Sequence, residues 1–506
     1  MTAFRYRVVI RGAERPIVDI DEFSVAADEI TVLLGESGIG KSMISKAVYG
    51  LLDPDELSIE INGRSYRDYL SRIITREMRQ NSFFVFQEPS SHLNALMKLS
   101  DQLREGSLGG ATREEREILQ SLWGTSEAGG VQKVIDIHPK PYRPSGGEKQ
   151  RVLLAMAFKK IARLTNAKER NPRTFFVFDE PTGSLDDGYR NRFLHMLMER
   201  YRQKAFTILL ITHDYSMISE LHGSHKDLIE KVHFKELRRK QGSTVFLRDF
   251  SDERYLEWLR SKDGRTVVRA GANERVLRMA PAVSVFGRRL EIRAEKDRSS
   301  ATELIIGRGE MVYLKAPSGV GKTTLAKVIM GLIRGDEYSL TLAGVEMNNH
   351  TPRYEWRTKI WGKRAGMLFQ HADEALDLRA TVKETFTGLP IVPRPGPDKV
   401  RAWLRELFEG EIDDAFLGKQ VARLSGGQKQ RLNLLRTLAM KTDLVILDEP
   451  LNGLDFDSIT KVLTLLERKL REGVALMMIS HNEEIFDALT DKGCVYHLVE
   501  IDKAAV

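Results

Sequence analysis

The 506 residues contain a single cysteine, Cys494, so no disulfide can form within the chain. That usage fits a reducing, cytosolic compartment. Long apolar runs are missing as well. No stretch approaches the roughly 18 uninterrupted apolar residues of a membrane span, so any membrane role is expected to pass through a partner chain. The opening MTAFRYRVVI is too short and too polar to read as a secretory leader. Excess charge is modest: 78 Lys and Arg against 71 Asp and Glu give a net +7. The densest basic run, Lys235 to Lys240 (KELRRK), has no interleaved aromatics on which bases could stack. It is expected to form a solvated face near a domain boundary, and no nucleic-acid partner is expected.

What is present occurs twice. GESGIGKS (Gly35 to Ser42), Gln87, PSGGE (Pro144 to Glu148), FFVFDE (Phe175 to Glu180) and His213 follow one another in the first half. APSGVGKT (Ala316 to Thr323), Gln370, LSGGQ (Leu424 to Gln428), LVILDE (Leu444 to Glu449) and His481 follow in the second. Lys41 and Lys322 are 281 residues apart, Ser145 and Ser425 are 280, and His213 and His481 are 268. Five motifs in register define a duplicated unit, and the length accommodates two domains of about 200–250 residues. The expected partition is a first domain over 1–262, a polar linker over 263–275 (within SKDGRTVVRAGANER) and a second domain over 276–506. STVFLRDF and RYLEWLR are expected to close the first domain.

Each glycine loop follows a buried-strand pattern (EITVLLGESG, MVYLKAPSG) and opens a helix with apolar residues at helical spacing (KSMISKAVYGLL, KTTLAKVIMGLI). Strand, loop and helix are the context a phosphate-binding loop requires. Glycines let backbone N–H groups turn toward phosphate oxygens, and the helix N-terminus favours negative charge. The candidates are Gly35, Glu36, Ser37, Gly38, Gly40, Lys41 and Ser42 in the first loop. In the second they are Pro317, Ser318, Gly319, Gly321, Lys322, Thr323 and Thr324. Lys41 and Lys322 are placed for the β- and γ-phosphates, and the hydroxyls of Ser42 and Thr323 for Mg²⁺. Ala316 stands where the first glycine of the pattern belongs, a cost only if that backbone needs positive φ. FFVFD, LVILD, TILLITH and ALMMISH read as parallel strands buried on both faces. Asp179 and Asp448 end two of them as Mg²⁺ ligands, Glu180 and Glu449 follow as bases for the attacking water, and His213 and His481 as γ-phosphate contacts. Ser-Gly-Gly at Ser145, Gly146 and Gly147, and at Ser425, Gly426 and Gly427, opens a further anion-binding helix. About a hundred residues of mainly helical pattern separate each loop from its signature. Phe286 is the candidate adenine-stacking aromatic of the second half.

These motifs together, with the Ser-Gly-Gly signature as the discriminating one, resemble the ATP-binding cassette (ABC) proteins, and both halves share the resemblance throughout. It implies an α/β fold: two P-loop nucleotide-binding domains in tandem, each a parallel-sheet core with a small antiparallel β part and an inserted helical subdomain. It implies ATP and Mg²⁺ as cofactors and Mg-dependent ATP hydrolysis. It also implies head-to-tail sites, with Lys41, Asp179 and Glu180 facing Ser425, Gly426 and Gly427, and Lys322, Asp448 and Glu449 facing Ser145, Gly146 and Gly147. Gln87 and Gln370 would contact Mg²⁺ and water. The segments Ser184 to Asp186 and Asn452 to Asp455 resemble the loop that couples two such sites. Pro144 replaces the usual leucine of the signature. GESGIGKSMISKAVYGLL and VFQEPSSHLNALMKLSDQL are similar to peptide- and nickel-importer ATPases. That similarity implies two membrane permease partners, with them a substrate-binding protein, and a place on the inner face of the cell membrane. Those ATPases commonly carry a C-terminal His-Pro-Tyr extension, whereas here the only His-Pro is His138–Pro139. The alternative is a soluble tandem cassette that remodels a cytosolic enzyme complex, of the methyl-coenzyme M reductase activation or C–P lyase type.

Overall fold

Short runs of β-branched and aromatic residues bounded by glycine or aspartate set up the strands of the first half. In a computed structural model they are β1 (Ala3–Arg11), β2 (Pro16–Ala26), β3 (Ile30–Leu34), β4 (Ser58–Ile61), β5 (Arg64–Ser65), β6 (Phe84–Val85), β7 (Phe176–Asp179), β8 (Ile208–Ile211), β9 (Val232–Gln241) and β10 (Thr244–Asp249). The structure describes residues 3–12, 16–104, 112–124, 131, 144–166, 173–183, 187–241, 244–262, 274–317, 319–391 and 393–501. Among them, the ten strands make one sheet, ordered β5-β4-β1-β2-β10-β9-β3-β8-β7-β6. From β9 to β6 every pairing is parallel, and β3, β7 and β8 are buried along their whole length. Continuous apolar sequence is what such doubly covered strands require. The β1–β2 hairpin and β4 form the antiparallel part. It joins the core through a short parallel pairing of Thr244 and Val245 with Asp19 and Ile20.

The second half repeats the plan with β11 (Arg275–Met279), β12 (Ala282–Val285), β13 (Arg288–Ala294), β14 (Leu304–Gly307), β15 (Met311–Lys315), β16 (Ser339–Leu342), β17 (Val345–Asn348), β18 (Ala365–Leu368), β19 (Leu444–Asp448), β20 (Ala475–Ile479) and β21 (Val495–Ile501). Here the antiparallel part separates from the core. Four strands form β14-β11-β16-β17, and seven form β12-β13-β21-β15-β20-β19-β18, parallel from β21 to β18.

In both halves the interval between phosphate loop and signature is less helical than its sequence suggests. Beyond the loop helix it carries strands that extend the antiparallel part (β4, β5; β16, β17), then short helical segments (Tyr66–Ser71 and Ile73–Asn81; residues 353–360) and a core-edge strand (β6; β18) before the signature-side helices. Those helices are Leu99–Arg104, Thr112–Trp123 and Gly146–Asn166 in the first half, and Pro397–Leu407, Asp414–Leu417 and Gly426–Ala439 in the second.

The chain divides into two compact units, Met1–Leu256 and Glu257–Val506. The division falls inside helix Asp252–Ser261, where Tyr255 is buried against Tyr215, ring centroids 5.8 Å apart. Of the linker candidate 263–275, residues 263–273 lie outside the described residues. Among those described, no helix is long and apolar enough to cross a membrane.

The basic run corrects the sequence reading. KELRRK is a solvated face only at Arg239 and Lys240; the run lies within β9, directly beside the phosphate-loop strand β3. Glu236 and Leu237 are fully buried. The Glu236 carboxylate lies 2.6 Å from the Arg248 guanidinium on β10 and 3.3 Å from that of Arg238. A buried carboxylate needs such partners, and the arginines that supply them make the run look like surface.

Candidate active site

Burial along β3 brings the chain to Gly35, whose φ of +137° is open to glycine. A Cβ there would also lie 2.8 Å from the Leu237 carbonyl oxygen of β9. The loop then winds through Gly38 and Gly40, both at positive φ, into the helix Lys41–Tyr49. Lys41 Nζ donates to the carbonyl oxygens of Gly35 at 2.5 Å and Glu36 at 3.1 Å, which holds the ammonium at the loop. Ser42 Oγ donates to Asp179 Oδ1 at 2.9 Å across 137 residues of sequence. The loop and the end of β7 thus meet as the motifs require.

Asp179 has no exposed surface. Burial pushes its carboxyl up to about 6, opposed by the Ser42 hydrogen bond and reinforced by Glu180. Its Oδ2 has no hydrogen-bond partner. A buried carboxylate oxygen without a partner, next to a serine hydroxyl, fits a hard divalent cation that takes oxygen ligands. Glu180 follows at φ +49°, its N–H donating to the Ile211 carbonyl of β8. A non-glycine residue at positive φ is strained backbone held by its surroundings. That geometry turns the carboxylate to His213, whose Nδ1 lies 2.8 Å from Glu180 Oε1. Burial opposes protonation of His213, yet the Glu180 carboxylate outweighs it and holds the imidazole above its ordinary value.

The second unit repeats this arrangement with different detail. Lys322 Nζ donates to the Ala316 carbonyl, and Thr323 Oγ1 donates to Asp448 Oδ2 at 2.7 Å. Ala316 is not among the described non-glycine residues with positive φ, and it packs against the hydrophobic core. Gly319 and Gly321 keep positive φ, Pro317 is exposed, Thr324 lies in the first turn of the helix Lys322–Ile329, and Ser318 lies outside the described residues. Burial raises Asp448. Glu449, at φ +53°, is almost fully buried, and burial lifts its carboxyl to about 7. Here the backbone N–H of His481 and the hydroxyl of Ser480 both donate to Glu449 Oε2 at 3.1 Å. The His481 Nε2 is farther off, 3.6 Å from Oε1. Ser480 is a site residue that motif spacing did not single out; its signal is the hydroxyl residue that precedes each histidine.

Gln87 and Gln370 lie two residues past the ends of β6 and β18, after Phe86 and Phe369, and Gln87 is exposed. Both signature serines cap their helices. Ser145 N–H donates to Glu148 Oε2 at 2.7 Å while Ser145 Oγ accepts from Glu148 N–H at 3.3 Å, and Ser425 and Gln428 form the same reciprocal box. Capping leaves the Gly146–Gly147 and Gly426–Gly427 amides at a helix start, the geometry suited to an anion. Asp455 caps the helix Phe456–Arg471 by accepting from Ser458 N–H at 2.7 Å, whereas Ser184 to Asp186 lie outside the described residues. Phe286 is exposed at the tip of the β12–β13 turn, at φ +53°.

Comparison with known proteins gives the family. The ABC transporter family profile matches residues 18–182 and again 300–452. The chain is 27% identical over 506 residues to the uncharacterized ABC transporter ATP-binding protein YejF of Escherichia coli K12, covering 96% of this chain and 90% of that one. It is 24% identical over 528 residues to the glutathione import ATP-binding protein GsiA of Shigella dysenteriae, covering 95% of this chain and 81% of that one. The fold is similar to that of the RNase-L Inhibitor, with a TM-score of 0.63 at 17% identity over 97% of this chain and 89% of that one. Two phosphate loops, each closed by its aspartate, glutamate and histidine, and a family profile matched twice identify this chain as a member of the ABC transporter family, a tandem ABC ATPase that binds and hydrolyses ATP.

Proposed function

We propose that the chain is the ATP-hydrolysing subunit of a peptide-type importer, acting through two separate membrane permeases from the cytoplasmic face. The observation that carries this reading is the end-to-end match to relatives such as GsiA, whose name assigns it to glutathione import. Two surface features support it. After Gln87, Leu96 and Met97 are exposed, at 84% and 37%. After Gln370, Leu376, Asp377, Arg379, Glu384 and Arg436 line an open groove, its wall braced by Arg436 donating to the Thr385 carbonyl at 3.1 Å. A groove beside the glutamine is where a permease helix would read the nucleotide state.

Within each site, Ser42 with Asp179 and Thr323 with Asp448 would hold Mg²⁺, together with Gln87 and Gln370. The ion supplies positive charge to the β- and γ-phosphates. Lys41 and Lys322 neutralise phosphate charge, Glu180 and Glu449 accept the proton of the attacking water, and His213 and His481 hold those glutamates and meet the γ-phosphate. We further propose that the sites are composite: Ser425, Gly426 and Gly427 complete the site of Lys41, and Ser145, Gly146 and Gly147 that of Lys322. Ser425→Arg should then impair hydrolysis at the Lys41 site, whereas unchanged turnover there would reject the pairing.

The test of the importer reading is purification of the Glu180→Gln/Glu449→Gln double variant with ATP and Mg²⁺, followed by mass spectrometry of bound proteins. Multi-span permeases are the expected partners. A soluble enzyme complex recovered in their place would overturn the reading in favour of a cytosolic remodelling ATPase.

A further inference from the structure

In each unit, one short helical segment precedes the strand that leads to the glutamine. In the first it is the helix Ile73–Asn81 before β6; in the second it is residues 353–360 before β18. Each segment buries one side, through Thr75 and Met78 or through Trp356 and Ile360. The opposite side breaks the usual surface pattern. Ile73 and Ile74, adjacent, are 73% and 40% exposed, and Tyr354 is 64% exposed. Single exposed apolar residues are ordinary on a protein surface. Here they recur at one place in both units, and each time arginines lie beside them in the sequence.

Arg72, Arg76 and Arg79 flank the isoleucines, and Arg353 and Arg357 flank the tyrosine. Arg72, Arg76 and Arg357 are exposed and pair with no carboxylate among the described residues. Arg353 lies over the Trp361 ring, 5.8 Å from its centroid. Other cations nearby are matched, Arg67 by Asp55 and Lys359 by Glu355. The second tip also holds an acid, since the Tyr354 hydroxyl lies 3.5 Å from the Glu355 carboxylate, which Lys359 neutralises. An apolar or aromatic tip beside arginines that no carboxylate matches is the side-chain combination that settles at the boundary of an anionic bilayer.

We propose that these two tips dock the cassettes directly on an anionic lipid surface, without a permease. Ile73 is 73% exposed, which leaves most of its side chain free to enter between headgroups. The tips also differ in sequence, Ile-Ile against Tyr, while sharing their physical character. A lipid layer reads that character, whereas a protein partner would read shape.

The experiment is co-sedimentation of the full purified chain with vesicles of phosphatidylcholine alone or of phosphatidylcholine and phosphatidylglycerol in equal parts. Preference for the anionic vesicles that weakens with added salt is expected. Each juxtamembrane cation contributes about fivefold to partitioning. Arg72→Glu/Arg76→Glu should therefore lower it by about 25-fold or more, and Ile73→Ser/Ile74→Ser by on the order of tenfold. ATP turnover and melting temperature of these variants should stay at the parent's values. Should the double charge reversal fail to fold, Tyr354→Ser tests the second tip alone and should also weaken binding. Equal binding to both vesicle types, or unchanged partitioning in both variants, overturns the proposal. So does displacement from the vesicles by soluble polyglutamate that is insensitive to Ile73→Ser/Ile74→Ser, which would identify an acidic protein as the partner.

Discussion

Replacing Gly35 by alanine should cripple the first phosphate loop, while the reverse change at Ala316 should leave the second intact. Gly35 sits at φ +137°, where a side chain is strained whatever the space, and its new Cβ would approach the Leu237 carbonyl oxygen to 2.8 Å. Such backbone strain costs about 1–3 kcal/mol. The loop can relieve it only by moving the Gly35 carbonyl, to which Lys41 is tethered at 2.5 Å. ATP affinity at the first site should therefore fall by about ten- to a hundredfold. Ala316 has no positive φ, so Ala316→Gly costs only the extra freedom of the unfolded chain, about 0.4–1 kcal/mol of stability. Its effect on affinity should stay within about fivefold. Titration with a fluorescent ATP analogue separates the two, using Lys322→Ala to silence the second site for Gly35→Ala and Lys41→Ala to silence the first for Ala316→Gly. Affinity of Gly35→Ala within about threefold of its parent would refute the reasoning. So would an equal loss for Ala316→Gly.

Single-turnover measurements should show Glu180→Gln and Glu449→Gln each slowing hydrolysis by about 10²–10⁴-fold in its own site with nucleotide binding retained; equal loss of binding would make them structural residues. Glu236→Ala would leave Arg238 and the partly exposed Arg248 without their carboxylate, which should cost about 1–3 kcal/mol and lower the melting temperature of the first unit by about 5 °C. Burial lifts Glu449 from an ordinary 4.5 to about 7, so between those values folding takes up a proton. Its contribution to stability should then fall as pH rises across that window, by up to about 1.4 kcal/mol per pH unit. Melting curves of Glu449→Gln should decline less steeply over the same range, and parallel curves for the two proteins would contradict the assignment.

The parts of the site that were legible in the sequence are those whose chemistry is written in consecutive residues. ITVLL followed by a glycine loop and KSMISKAVY states strand, turn and helix locally, and the meeting of Ser42 with Asp179 follows once both motifs are recognised. KELRRK was misread for the opposite reason. Its burial depends on Arg248, contributed by the next strand, and on β3, about two hundred residues earlier. Local composition carries no trace of either. The antiparallel parts were expected, but the way they join the core was likewise opaque. Whether they fuse with the core, as in the first unit, or stand as a separate sheet, as in the second, turns on one two-residue pairing of Thr244 and Val245 with β2. The different hold on the two glutamates was also hidden, because His213 and His481 occupy the same motif position while only Ser480 donates to its glutamate.

Ala316 shows why a departure from a motif cannot be judged against the ligand alone. Two contacts are the same in both units: the lysine donates back to the first loop carbonyl, and the hydroxyl of the next residue meets the strand-end aspartate. What makes glycine compulsory at Gly35 is the neighbouring strand. β9 pairs Glu236 with Leu34 and so brings the Leu237 carbonyl against the next position of the loop. In the second unit β21 runs beside β15 with Lys315 opposite His497, and Ala316, the next residue, is not among the described non-glycine residues at positive φ. Ala316 there contributes a methyl group to the hydrophobic core. The first glycine of the pattern is thus a packing requirement imposed by the adjacent strand, and the second site is expected to bind ATP as the first does.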